Sequence, residues 1–148
     1  MTKIISIVCN PENAEETCIQ IADAIQKGFW VELTTREKTL TSIDARLLPK
    51  GPGMLLKSGG STNKPHQCLL PYDHLNQSAL ATKKWLHAQR IDTNKCMIVN
   101  ALPINHVSGF MPWWRSRCWN AKHVFIKPSI MRDAKNLELF GHSIEAEL

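Results

Sequence analysis

The tightest constraint on this chain is its alternation of short, β-branched apolar runs with longer stretches whose apolar residues recur at helical spacing. Ile4-Ile5-Ser6-Ile7-Val8 predicts a buried strand that stops at Asn10-Pro11. Ala14, Cys18, Ile21, Ala22 and Ile25 then form one stripe before Gly28, predicting a helix with Asn10 as its cap and Pro11 in its first position. Phe29 to Leu33 predicts a second strand, and the polar, turn-rich residues 34–53 an exposed connector. Met54-Leu55-Leu56 and Gln67 to Leu70 predict strands on either side of a glycine-serine loop. Asp73 is placed to cap a helix whose inner face is Leu75, Ala79, Thr82 and Leu86. A strand at Cys96 to Val99, a helix carrying Phe110, Trp114 and Cys118, and a strand at Val124 to Ile126 follow. The last element is a helix capped by Ser129, carrying Ile130, Ala134 and Leu137 and stopped by Gly141. This order predicts an α/β fold: three layers, a largely parallel sheet with flanking helices, and ligand sites outside the carboxyl ends of the strands.

With 148 residues, 43% of them hydrophobic, the chain can bury one core. No apolar run approaches the roughly 18 residues of a membrane span, so neither a membrane partner nor a secretory leader is expected, and the chain reads as cytoplasmic. Cys9, Cys18, Cys68, Cys96 and Cys118 are odd in number and scattered. They suit reduced packing thiols, and neither they nor the histidines show metal-ligand spacing, so no metal site is expected. Charge is uneven: residues 1–40, 41–132 and 133–148 carry net charges of −2, +10 and −3. A basic middle suits an anionic partner such as a nucleotide or CoA, and also an ordinary solvated surface.

Three segments bear on chemistry. Ser58-Gly59-Gly60-Ser61-Thr62-Asn63-Lys64-Pro65 places small and hydroxyl residues between strands, where backbone amides can close on a phosphate. It has neither the Walker A spacing nor G-x-G-x-x-G, and its composition alone also suits a plain turn. Leu102-Pro103-Ile104-Asn105-His106-Val107-Ser108-Gly109 puts His106 on a strand-to-helix connection, where it either faces a pocket or bonds locally, and where Ser108 can serve as an N-cap. Trp113-Trp114-Arg115-Ser116-Arg117 has the residue types of a single-strand binder, but Trp114 shares a helical face with Phe110 and Cys118, which makes it core and a nucleic-acid partner the weakest of the readings.

Two of these segments together resemble the adenylate-forming (AMP-binding) acyl-CoA ligases. Aligned on Pro65, the family's T-S-G-[ST]-T-G-x-P-K-G loop is matched at Gly60, Ser61, Thr62 and Pro65, while Asn63, His66 and Gln67 stand where the family has glycine, lysine and glycine. Leu102 to Gly109 is similar to the family's L-P-L-x-H-x-x-G stretch, and the agreement over residues 106–109 and 115–119 points toward the 2-succinylbenzoate-CoA ligases of menaquinone and phylloquinone biosynthesis. The resemblance spans roughly residues 54–140. It implies division of the chain into a βαβ-like segment with connector (residues 1–53) and a partial AMP-binding subdomain (54–148). It also implies phosphate binding by Gly59, Gly60, Ser61, Thr62, Asn63 and Lys64, an acyl pocket bordered by His106, Ser108 and Gly109, and ATP, Mg2+, CoA and a small carboxylate as reactants. Nothing in the chain resembles the family's Y-G-x-T-E motif, its ribose-binding aspartate or its adenylation lysine. The expectation is a fragment of a longer ligase, inactive by itself, with a non-catalytic nucleotide-binding or interaction module as the alternative.

Overall fold

The computed structural model describes residues 2–35, 43–58 and 66–148. Strands β1 (Ile4–Val8), β2 (Trp30–Thr34) and β3 (Gly53–Ser58) run parallel, and β4 (His66–Pro71) turns back antiparallel to β3, giving the order β1-β2-β3-β4. Two further strands, β5 (Met97–Asn100) and β6 (Lys122–Phe125), form a separate parallel pair. The two sheets touch through a bridge between Lys57 and His106. The fold is therefore mixed α/β with a mostly parallel sheet.

Helices α1 (Ala14–Gln26), α2 (Tyr72–Ala88) and α3 (Val107–Trp119) follow the predicted stripes. Ile21 of α1, Leu75 and Ala79 of α2, and Phe110, Trp113 and Trp114 of α3 share one core with Ile7, Val31, Leu33, Met54 and Leu56. These strand residues alternate along β1, β2 and β3, so they belong to one face of the sheet. On the opposite face Trp30 and Leu55 pack against Leu48 and Ile43 of the connector. The expected three layers thus differ from the described residues, where α1, α2 and α3 gather on one face and a loop covers part of the other. Trp30 explains how a loop suffices: its indole donates to the Pro49 carbonyl at 3.3 Å and its ring lies over Gly53, where an added Cβ would come within 2.5 Å. Only a glycine leaves the ring that space.

Several element ends differ from expectation for local reasons. Asn10 holds a turn instead of capping α1: its side chain accepts the Glu12 amide at 3.0 Å and its carbonyl the Asn13 amide at 3.0 Å. Pro11 falls in that turn, and α1 begins at Ala14. Helix α2 begins directly from Pro71, with Asp73 inside its first turn, where an acid complements the helix dipole. The last predicted helix is two, α4 (Pro128–Met131) and α5 (Ala134–Glu145). Asp133 starts α5 by accepting the Lys135 and Asn136 amides at 2.9 and 3.2 Å, and Ser129 lies inside α4. Gly141 lies within α5, on an exposed side where a glycine costs only about 1 kcal/mol.

Helix α3 is held by aromatic packing and by indole hydrogen bonds to α2. Phe110 stacks on Trp114 with centroids 5.8 Å apart and meets Trp113 edge-on at 5.6 Å. Trp119 donates to the Ala79 carbonyl at 2.8 Å, and Trp114 to the Asn76 side chain at 3.1 Å. Since Phe110 is fully buried in this cluster, Phe110→Ala is expected to cost about 3–5 kcal/mol in urea unfolding. Trp85→Ala, at an exposed position of α2, is expected to stay within about 0.5 kcal/mol of the parent.

Candidate functional site

The connection from β5 to α3 is built around Asn100. Its side chain is buried, donates to the Gly109 carbonyl at 2.8 Å, lies 3.2 Å from His123 Nε2, and accepts the Leu102 amide at 3.1 Å. The chain then turns at Pro103, whose carbonyl accepts the His106 amide at 3.2 Å, and enters α3 with His106 as N-cap residue. That residue caps with its backbone alone, and its imidazole has no hydrogen-bond partner among the described residues. Gly109 lies directly beneath Pro103, so close that any Cβ would strike the Pro103 carbonyl. A glycine is what lets the first turn of α3 seat against the loop.

This loop forms one wall of a cavity of about 550 Å³ at the carboxyl ends of the parallel strands. Cys9 follows β1, Thr35 follows β2, Lys57 is the penultimate residue of β3, His106 precedes α3, Phe125 ends β6 and Arg132 follows α4, and all six line it. Among the described residues, the lining contains no Asp or Glu. Neither Lys57 nor Arg132 takes part in an ion pair or side-chain hydrogen bond among the described residues. Two unpaired cations beside an apolar wall make this a place where an anion gains attraction without displacing a resident carboxylate. Cys9 offers no nucleophile, because burial pushes its thiol up to about 11 despite a backbone hydrogen bond from Thr34 that pulls it down.

Of the residues predicted from sequence, His106 lines this cavity, Gly109 supports it from beneath, and Ser108 is exposed on the first turn of α3, away from the lining and without a capping bond. Gly59, Gly60, Ser61, Thr62, Asn63 and Lys64 lie outside the described residues. Their flanks are described: Ser58 pairs with His66 across β3 and β4, and its hydroxyl donates to the His66 carbonyl at 3.2 Å. The loop therefore departs one residue after Lys57, which lines the cavity. No family model, curated protein or solved structure matches the chain.

A second cavity of about 680 Å³ lies near the amino end of β3, between α1, α2 and α3, bordered by Pro52, Tyr72 and Trp114. It carries Asp23, whose carboxylate pairs with Lys27 at 2.7 Å, and Arg117, whose guanidinium lies over the Trp113 ring at 5.3 Å. Trp113 and Trp114 are buried, so neither face is open to stack on a base. Among the described residues, no three His, Cys, Asp or Glu side chains stand together as metal ligands, and no helix is long and apolar enough to cross a membrane. Lys57 and Arg132 were not singled out by sequence. Lys57 had the one available signal, its place next to the glycine-serine loop, while Arg132 reads only as a surface charge.

His123 couples this site to pH. Burial lowers its pKa to about 4, partly offset by the negative charge of Glu15, and the Asn100 amide group facing Nε2 leaves no acceptor for a second proton. The folded state thus resists protonation that the unfolded chain accepts near 6.5. The contribution to stability is complete above about 6.5 and falls as pH drops toward about 4. Chemical unfolding between pH 7 and pH 4 is expected to show this loss, with a shallower slope in His123→Gln.

Proposed function

We propose that this chain carries the acid-binding part of an adenylate-forming acyl-CoA ligase, with a small carboxylate held in the cavity bounded by Lys57, His106 and Arg132. The observation that carries the reading is that cavity: among the described residues its lining has unpaired cations and no acid, and it lies outside the carboxyl ends of parallel strands, where α/β folds bind ligands. The order of the two family-like segments supports it, since the glycine-serine loop departs beside Lys57 and the second segment supplies His106.

In the family reaction a substrate carboxylate attacks the α-phosphate of ATP, giving an acyl-adenylate and pyrophosphate, and CoA thiolate then displaces AMP. This chain's share is positional. Lys57 and Arg132 hold the acid's negative charge, while Leu102, Pro103 and Phe125 exclude water around its apolar body. Gly59 to Lys64 are the proposed cradle for the ATP phosphates. The described residues present no carboxylate toward the cavity for Mg2+, so no step is assigned through that ion. By specificity we favour 2-succinylbenzoate, an aromatic acid of quinone biosynthesis, acting within a longer ligase.

Titration calorimetry with 2-succinylbenzoate at low ionic strength tests the reading. Saturable binding is expected, weakened about tenfold in Lys57→Ala or Arg132→Ala, the loss of one charge-assisted hydrogen bond at roughly 1.4 kcal/mol. Equal affinity for its uncharged diester, or binding indifferent to both substitutions, would overturn the reading. Binding without acid-dependent pyrophosphate exchange in a longer chain would instead support a non-catalytic module.

A further inference from the structure

Glu12 and Ser129 are 117 residues apart and joined by two hydrogen bonds: one Glu12 carboxylate oxygen accepts the Ser129 amide at 3.2 Å and the other its hydroxyl at 2.8 Å. Each partner is pre-set by its own segment. The Asn10 turn fixes the Glu12 backbone through the 3.0 Å bond to its amide. Ser129 follows Pro128, which has no N–H, so the Ser129 amide is the first donor that α4 offers. Both segments border the cavity, one through Pro11 and the other through Pro128 and Arg132.

Apolar packing gives α4 little anchorage, because neither α4 nor α5 contains a fully buried residue and Pro128 and Ile130 are only half-buried. The Arg132 amide bonds to the Pro128 carbonyl at 3.2 Å, so Arg132 rides on the single turn that Ser129 anchors. We propose that Glu12 and Ser129 are positioning residues for Arg132: together they latch α4 against the Asn10 turn and so set how tightly the cavity holds an anion. This rests on the anion-binding reading of the cavity. It also makes a prediction opposite in sign to plain electrostatics. Removing the Glu12 charge near a cationic cavity would by itself strengthen anion binding, whereas loss of the latch weakens it.

The test compares the parent chain with Glu12→Ala, Ser129→Ala, their double variant and Ser129→Thr, using two readouts. Both partners are exposed, so the substitutions leave the core intact. In the ligand-free protein, amide exchange over residues 129–132 is expected to speed up roughly tenfold in either alanine variant and stay slow in β1 to β3. Affinity for 2-succinylbenzoate is expected to fall about fivefold in each, no further in the double variant, and to be retained in Ser129→Thr. Unchanged exchange in Glu12→Ala, or tighter probe binding in that variant, overturns the latch. A parent chain that binds no 2-succinylbenzoate overturns the anion reading and Arg132's role with it, whereas a binding parent with equally binding variants overturns the latch alone.

Discussion

Asn100 has a side chain shut away from water, and both its polar atoms are engaged: the amide group with the Gly109 carbonyl and His123, the oxygen with the Leu102 amide. These contacts join the end of β5, the start of α3 and strand β6 in one polar joint. An apolar residue there would remove the donor to the carbonyl of buried Gly109 and the acceptor for the amide of exposed Leu102, at about 0.5–1.5 kcal/mol for each bond lost. The cavity depends on this joint because its wall from Ala101 to His106 spans the few residues between Asn100 and α3. Gly109 completes the arrangement by letting α3 approach the Pro103 carbonyl.

The aromatic core sets the other limit. Phe110, Trp113 and Trp114 bury α3 against α1, α2 and the sheet, so a segment that reads as a base-stacking motif is occupied by packing. The charged rim at the carboxyl ends of the strands is not filled by this packing. Residues 41–132 carry a net charge of +10, and the cavity brings together two of their cations, Lys57 and Arg132, with no acid among the described lining residues.

Periodicity revealed the helices with a buried stripe, α1, α2 and α3, because burial and sequence spacing report the same face. It failed where burial plays no part. Helices α4 and α5 have no fully buried residue, so the break between them is decided by a local device, the Asp133 cap, and an exposed Gly141 is absorbed into α5 instead of ending it. The Asn10 turn was missed for a similar reason, since Asn-Pro suits a turn as well as a helix start, and the Glu12–Ser129 contact that rewards the turn lies across the whole chain. The cavity was visible only in part. Its position at the carboxyl ends of strands follows from topology and His106 from its place after β5, but bringing Cys9, Thr35, Lys57 and Arg132 together is a property of the folded chain.

The central claim is that an anion binds at the carboxyl ends of the parallel strands, between Lys57, His106 and Arg132. The most direct measurement is amide and side-chain chemical-shift mapping of the isotope-labelled chain titrated with 2-succinylbenzoate. The account predicts saturable shifts confined to residues 9–14, 35, 57, 101–106 and 125–132 and to the loop that follows Ser58. Shifts centred instead on Tyr72, Asn76 and Arg117, which border the cavity at the opposite end of β3, or no saturable shifts, would contradict it.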